Sequence, residues 1–332
     1  MAQYSSANIG FVLVDGYNVM GTVTTLTDSV ETTIQESSVF GDEWAKFVNV
    51  NYRKGALAQG GFFDDAVGSI HDALNGTDLS SLGDSRVFMY GLEGNVAGAH
   101  FVGYGGVIET KYERTMALEK LHMANAMYSP SGPIEVGQVL KPYAAISANG
   151  DTKATSVDQA ADTRVTRAKL VSNSIANPTV VTTEEAHQFI DNDVILIAGV
   201  ITSDPTINGE RVATVTGAGG ATKFKVPVNV TTGGTDGTAV RAWTKNGGAG
   251  FISCSALSLG GWTNLTAKVA HSADNGVWVD LMTFTAITTA PIAERKTVAA
   301  GTTVNRYLAA SWAFTGAGAA HTATFVVGFV RA

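Results

Sequence analysis

The chain has 332 residues, of which 15% are charged and 45% hydrophobic, and its formal net charge is −7. This length corresponds to about two domains or one large β unit, and the composition is too apolar for a disordered chain. No apolar run approaches the ~18–20 residues of a membrane helix, and the start lacks a secretory-signal pattern. The one cysteine, Cys254, excludes an intrachain disulfide and a cysteine-based metal cage. We therefore expect a soluble, β-rich protein with no membrane partner.

The negative charge lies entirely in the first half of the chain. Residues 1–150 contain 16 acidic and 8 basic residues, a net charge of −8, whereas residues 151–332 contain 13 acidic and 14 basic residues, a net charge of +1. This asymmetry suggests two parts with different surroundings. The overall negative charge argues against a general nucleic-acid binder.

The first half is predicted to form antiparallel strands with one short helix. Asp15 and Gly16 have the chemistry of a hairpin turn. The helix is predicted from apolar residues at helical spacing over 66–74, with Asp64 or Asp65 as its cap and a stop at Asn75. Strands are predicted within residues 9–33, 46–52, 57–63, 86–90, 99–110 and 134–143, and in the stretch up to 128, where 118–127 also favours helix.

The second half is predicted to contain a separate block of short strands. A polar stretch over 143–168 is a plausible linker. Residues 169–244 then show about five short strand-like pieces separated by Asn-Asp, Asn-Gly and Gly-Gly turns, the pattern of a small sandwich or barrel. Five further strands are predicted at 251–257, 265–271, 277–284, 302–311 and 323–330.

Strings that imitate catalytic motifs have simpler explanations. His271, Ser272 and Asp274 are too close in sequence to converge on one atom as a triad, and a polar turn explains them better. The glycine-rich strings 94–98 and 103–106 do not continue into a capped helix, and the six histidines lack metal-ligand spacing. No catalytic residue, metal or cofactor is therefore predicted.

The polar, acidic stretch over 28–45 is predicted to be a long loop. Loops of this length are usually functional or mobile, and Phe40 and Trp44 near its far end could anchor it to a neighbouring subunit. The alternative is a solvated hairpin loop. The candidate residues of this segment are Asp28, Glu31, Glu36, Phe40, Asp42, Glu43 and Trp44.

Three runs of the sequence resemble the major tail tube proteins of long, flexible-tailed (siphovirus-type) bacteriophages. These three runs, all in the first half of the chain, are GYNVMGTVTTL, ESSVFGDEW and GGFFDDAVGSIHDAL. In addition, the C-terminal runs that start at residues 269 and 293 are similar to the ends of such proteins. In that family a long loop ends near a Ser/Thr, Phe-Gly-Asp string, present here as Ser38 and Phe40–Asp42. A strand-to-helix junction follows, carried here by Gly61, Phe62, Phe63, Asp64 and Asp65.

The resemblance implies both a fold and a function. Such proteins are β-sandwiches with one flanking helix, whose hexameric rings close their inner sheets into a barrel and stack into a tube. The implied partners are further copies of the chain, the tape measure protein, the tail terminator and the distal tail proteins. Genomic DNA would pass through without specific binding, and an acidic lumen would repel its phosphates. The implied location is the virion tail, assembled in the bacterial cytoplasm.

These observations give three expected domains. They are a tail tube β-sandwich over 1–148, an outer β-sandwich over 149–168 and 245–332, and an inserted small β domain over 169–244. An alternative function is a glycan- or receptor-binding virion protein. Its sugar-stacking face would come from the aromatic residues Trp243, Trp262, Trp278, Trp312 and Tyr307, although core packing is the simpler explanation of these residues.

Overall fold

The computed structural model describes residues 9–36, 47–66, 69–75, 83–118, 120–161, 167–187, 189–241 and 247–331. Within these residues the predicted mainly β fold is confirmed, with 22 strands, one short α-helix and two 3₁₀ turns. No helix in the described ranges is long and apolar enough to cross a membrane.

The strands of the chain differ widely in length. Up to residue 158 they are β1 (Val12–Val14), β2 (Tyr17–Asn18), β3 (Val23–Glu36), β4 (Phe47–Phe62), α1 (Ile70–Asn75), β5 (Ser85–Gly91), β6 (His100–Thr115), β7 (Met123–Pro130), β8 (Ile134–Ile146), β9 (Gly150–Asp151) and β10 (Val157–Asp158). The next six are β11 (Ala168–Asn173), β12 (Thr179–Thr183), β13 (Val194–Ala198), β14 (Gly209–Val212), β15 (Lys223–Val226) and β16 (Thr238–Arg241). The last six are β17 (Gly248–Ser258), β18 (Asn264–Ser272), β19 (Val279–Thr283), β20 (Ile292–Val298), β21 (Tyr307–Thr315) and β22 (Thr322–Arg331).

The largest sheet branches at β6. One path runs β2-β1-β5-β6-β8-β22-β17-β20, and a second leaves β6 through β7 and β4 to β3. The branch is possible because β6 is 16 residues long. Residues 100–104 of β6 pair with β8, whereas residues 107–115 pair with β7. The second path is therefore a four-stranded antiparallel sheet that projects from the main one.

The C-terminal strands complete the sheet of the first half. β22 pairs with β8 on one side and with β17 on the other, so the sheet continues across the predicted boundary at residue 148. A second sheet, β10-β21-β18-β19 with β9 beside β21, packs on this part through a core that includes Leu140, Ile252 and Phe325. The N-terminal and C-terminal segments therefore share one sheet.

A buried lysine fixes the junction between β8 and β22. The Lys141 ammonium donates to the carbonyls of Pro142 at 2.9 Å, Ala144 at 3.0 Å and Phe325 at 2.8 Å, and it lies 4.1 Å from the centroid of the Phe325 ring. Burial lowers the pKa of Lys141 to about 8. Three carbonyl acceptors satisfy the three donors of the ammonium, which holds the irregular register of β8 against β22.

Residues 168–241 form a sheet of their own. Its order is β14-β13-β16-β11-β12-β15, and its core, which includes Val181, Ile195 and Phe224, is separate from those of the rest of the chain. Lys169 and Thr238 are direct partners in the β11–β16 pair, so the chain enters and leaves this unit side by side. One ion-pair network connects this unit to the remainder of the chain. Arg306, outside the unit, contacts Asp158, also outside it, at 2.7 Å and Glu210 of the unit at 3.2 Å.

Several elements differ from the sequence predictions. The Asp15-Gly16 turn is confirmed, with φ angles of 49° and 94°. The two strands predicted at 46–52 and 57–63 are one strand, β4, because the residues between them, 53–56, also pair with β3. Gly61 lies near the end of this strand at a close approach, where a Cβ would be 2.4 Å from the Thr22 carbonyl oxygen. The loop predicted from Asp28 is wrong as far as Glu36, since these residues pair with β4 as part of β3. Strand β20 was not predicted, because its alternation is weak and half of its residues are polar.

We expect residues 170–237 to be dispensable for the rest of the fold. An Asn-Gly turn joining Lys169 to Thr238 would close a hairpin between residues that are already paired, and the deleted core is separate. The shortened chain should stay soluble and unfold cooperatively, as measured by calorimetry. An insoluble product would show that the remaining sheets depend on this unit.

Candidate assembly surface

The projecting sheet, β3-β4-β7-β6, has one face in the core and one face exposed. Leu57 of β4 lies opposite Asp28 of β3 and Tyr128 of β7, and Tyr128 lies opposite Glu109 of β6. This row faces the core, where Leu57 and Tyr128 pack with Ile70 of α1 and other apolar residues of β1 and β5. Because side chains alternate along a strand, the neighbouring rows face outward.

The outward face is built from small and polar residues with balanced charge. Thr27, Ala58, Met127 and Lys111 form one row across the four strands, and Thr25, Gly60, Asn125 and Glu113 form the next. The remaining charged residues of this face are Glu31 and Lys54, which lie directly opposite one another. The Lys111 ammonium is 2.6 Å from the Glu113 carboxylate. The face therefore carries two carboxylates and two ammonium groups among the described residues.

Many carboxylates of the first half point elsewhere. Glu135 accepts two hydrogen bonds of 2.7 Å from Arg295, Glu93 contacts His100 at 2.5 Å, and Glu109 is buried beside Arg86. These pairs hold the sheet to its surroundings. Among the described side chains, the outward face of this sheet therefore carries no excess of carboxylates.

The two outer strands of the projecting sheet have free backbone edges within the described residues. β3 pairs only with β4, and β6 from Thr110 to Thr115 pairs only with β7. Unpaired N–H and C=O groups along an exposed strand are a template for pairing with another chain. The residue that breaks the register, between Glu109 and Lys111, marks the point where β6 leaves the main sheet.

The candidate residues of the stretch 28–45, predicted to contact a neighbouring subunit, fall into two groups. Asp28, Glu31 and Glu36 lie in β3, whereas Phe40, Asp42, Glu43 and Trp44 lie outside the described residues. The Asp28 carboxylate accepts hydrogen bonds from the hydroxyls of Tyr90 at 2.7 Å and Tyr104 at 3.2 Å, and burial together with this contact raises the pKa of both tyrosines. Asp28 and Glu31 are both exposed, but Asp28 also ties β3 to the core through these two hydroxyls.

The residues of the predicted strand-to-helix junction make contacts that shape the local fold. The Asp64 carboxylate accepts from the Ala66 N–H at 3.0 Å, and the Asp64 carbonyl accepts from the His71 N–H, so Asp64 shapes the turn before α1. The Phe63 ring packs at 4.9 Å from the His71 ring. Of the other members, Gly61 is buried against Thr22, and Phe62 and Asp65 are exposed.

Sequence reasoning missed a buried ion pair beneath this sheet. Arg86 donates to the carbonyl of Ala73 near the end of α1, and its guanidinium is 3.5 Å from the Glu109 carboxylate. Burial raises the pKa of Glu109 to about 7, and Arg86 opposes this shift. Neither Glu109 oxygen has a hydrogen-bond partner within the described residues. The sequence spacing of Arg86 and Glu109 does not indicate that they are close, because only the pairing of β5 with β6 brings them together.

Three aromatic residues named for the alternative function make contacts within the chain. The Trp262 indole N–H donates to the Ala319 carbonyl at 3.1 Å, and that of Trp312 donates to the Ala148 carbonyl at 2.9 Å. Both rings pack against the core of the C-terminal sandwich. Tyr307 lies under the Arg306 guanidinium at 4.9 Å, and Trp243 is outside the described residues.

Comparison with known proteins gives distant likenesses to virion components. No protein-family model and no curated protein matches the chain. Among solved structures, the chain is similar to proteins of the virion of a native gene transfer agent particle (12% identity, TM-score 0.32) and of the tail of an empty gene transfer agent particle computed with helical refinement in C6 symmetry (12%, 0.30). Each match covers 40% of this chain and 97% of the other.

A third likeness spans nearly the whole chain. The Dit protein of phage SPP1, described as a paradigm of the hub adsorption apparatus in phages that infect Gram-positive bacteria, matches at 7% identity and a TM-score of 0.29 over 96% of this chain and 98% of its own. All three structures are thus described as virion, tail or adsorption-hub components. At these TM-scores the likenesses do not establish a shared fold.

Glu109 should make the stability of the protein depend on pH. Because its pKa is about 7 in the folded state and near 4.5 when unfolded, the carboxyl is neutral in both states below pH 4.5 and ionised in both above pH 7. Between these values the unfolded state loses its proton first, so the unfolding free energy falls as pH rises. We expect this fall to be larger in the wild type than in Glu109→Gln by about 3 kcal/mol, from denaturant titrations at pH 4 and pH 8.

The exposed Glu113 provides the matched control for this experiment. Glu113→Gln removes a carboxyl from the same strand on its solvent face, where the partner is the exposed Lys111. Its profile should follow that of the wild type. Equal pH dependence in the wild type and Glu109→Gln would contradict the assignment.

Proposed function

We propose that this chain is the structural subunit of a phage-type tail tube, in which the projecting sheets of neighbouring copies join edge to edge into a continuous barrel. The observation that carries the proposal is a single sheet, β3-β4-β7-β6, with a free edge on each side among the described residues. Closing sheets into a ring is the way in which β proteins remove such edges entirely.

The strand number of this sheet suits cyclic closure. Every neighbouring pair within it is antiparallel, so the four strands alternate in direction and β3 runs opposite to β6. When β6 of one copy meets β3 of the next, the new pair is antiparallel as well. Identical copies can therefore repeat around a ring with the same heterologous contact until it closes.

The dimensions of such a ring allow a duplex to pass. Six copies, the number implied by the resemblance to tail tube proteins, would contribute ~24 strands spaced ~4.8 Å apart. With a typical tilt of ~40°, these strands enclose a backbone circle roughly 48 Å across. Side chains on the inner surface would still leave an open channel, as in barrels with fewer strands.

The outward face of the sheet has the chemistry of a surface on which DNA slides. It presents Thr25, Thr27, Ala58 and Asn125, and the Lys111 ammonium is paired with Glu113. Affinity for DNA comes mainly from unpaired basic groups that displace counterions from phosphates. A lining of balanced charge avoids this attraction, so we propose a weakly interacting lumen in place of a strongly acidic one.

The remaining parts of the proposal come from the resemblance to tail tube proteins. Stacked rings would form the tube of a virion tail, with the tape measure, terminator and distal tail proteins as its further partners and the bacterial cytoplasm as the place of assembly. The stretch from Asp28 to Trp44 would reach the next ring, because β3 and β4 continue beyond the rest of the sheet. The unit over 168–241 would lie outside the barrel.

Proline substitution in the free part of β6 tests edge pairing. Successive backbone N–H groups of a strand point to opposite sides of it. For the neighbours Glu113 and Arg114, one N–H group therefore donates toward β7 and the other points to the free edge. The proline at the free-edge position should leave the monomer fold intact and abolish rings and tubes in negative-stain electron microscopy. The proline at the other position removes a bond to β7 and should lower the unfolding free energy by about 1–3 kcal/mol.

Alanine variants separate the backbone effect from the side-chain effect. Glu113→Ala and Arg114→Ala keep both N–H groups, and we expect both to assemble as the wild type does. Efficient tube formation by both proline variants would refute edge pairing through β6.

A further inference from the structure

The loop between β6 and β7 exposes an unusual number of large apolar side chains. Met116, Leu118 and Leu121 are 60%, 92% and 71% exposed, and all three lie within six positions of one another. Phe62, at the end of β4, is also exposed and lies opposite the first residue of β7. Clusters of this kind on a protein surface mark interaction sites. We call the described residues of this stretch, 116–118 and 120–122, the apolar loop.

An apolar groove lies at the opposite end of the same sheet. It has a volume of about 400 Å³ and is lined by Val30, Pro130, Pro133 and Ile134, with Lys54, Gly55 and Gly132 completing its wall. Val30 is 56% exposed although it lies on the core-facing side of β3. A Cβ on Gly55 would lie 2.8 Å from Cγ of Pro130, so glycine at this position keeps the groove open.

The positions of the two features are set by the strand register. Val23 pairs with Gly61 and Phe62 with Met123 at the end that carries the apolar loop. Val30 pairs with Gly55 seven residues further along β3, roughly 23 Å away. The loop and the groove therefore lie at the two ends of the strands, whereas the free edges lie at the two sides of the sheet.

We propose that the apolar loop of one copy docks into the groove of a second copy in the next ring, so that Leu118 is buried against Val30 and Ile134. This inference rests on the proposed function, and it assigns the contact between rings to described residues of this chain. Each copy carries both partners at opposite ends of one sheet. A head-to-tail contact between them repeats without closing and generates a filament along the strand direction.

A second copy fits this groove better than another kind of partner for geometric reasons. Edge pairing places the grooves of all copies on one rim of the ring and the apolar loops on the other rim. Rings that stack in the same orientation bring these rims together around the whole circumference. The same contact covers the exposed side chains of the loop and the exposed side chain of Val30 at once.

Introducing a charge into the loop tests this docking in the full-length chain. Leu118→Glu should form rings but no tubes in negative-stain electron microscopy, because the edges of β3 and β6 are unchanged. The control is Val277→Glu, which alters a 72% exposed valine next to β19, and it should form tubes as the wild type does.

Cysteine pairing tests the contact itself. A chain with both Leu118→Cys and Val30→Cys should give a ladder of disulfide-linked oligomers under mild oxidation, because a disulfide requires Cβ atoms about 4 Å apart. Each single variant should give no ladder, since the native Cys254 is buried.

The outcomes distinguish this docking from the proposed function. Tubes from the wild type and none from Leu118→Glu, together with the ladder, support the docking. Tubes of normal length from Leu118→Glu and no ladder overturn it while leaving ring formation in place. A wild-type chain that forms neither rings nor tubes overturns both the proposed function and this contact.

Discussion

The four-stranded sheet β3-β4-β7-β6 is the feature on which the rest of the structure depends, because its outer backbone groups lack partners within the described residues. An isolated chain with two such edges is exposed to uncontrolled association. Because the sheet has an even number of strands that alternate in direction, copies can pair side by side without a break in that alternation. In the proposed ring, pairing of β6 of one copy with β3 of the next would supply the hydrogen bonds that these edges lack within the described residues.

The remainder of the chain holds this sheet rigidly. β6 belongs to both branches of the large sheet, and β8 continues into β22 and β17, so the C-terminal strands support the projecting sheet through continuous backbone pairing. Lys141 fixes the β8–β22 junction through three carbonyls. Asp28 and the Arg86–Glu109 pair then connect the projecting sheet to the core.

The sequence predicted what depends on local pattern and missed what depends on pairing over long separations. The Asp15-Gly16 turn, the single helix before Asn75 and the β class all follow from short-range signals. The extension of β3 to Glu36 did not, because its threonines and acidic residues resemble a loop until β4 lies beside them. The pairing of β22 with β8, across nearly 200 residues, was equally invisible. Leu118 and Val30, which the proposed docking uses, were not singled out because they belong to no motif, and the predicted stacking role of residues 28–44 stays a prediction.

The distribution of charge shows how local pairing overrides a count taken from the sequence. The excess of carboxylates in residues 1–150 suggests an acidic surface, yet Glu135, Glu93 and Asp28 each contact a specific partner away from the outward face of the projecting sheet. On that face itself, Lys111 is matched by Glu113 and Lys54 lies opposite Glu31. In the proposed tube, a lining past which thousands of DNA phosphates move needs little attraction or repulsion at any one point, and balanced charges among small hydroxyl and amide side chains would provide it.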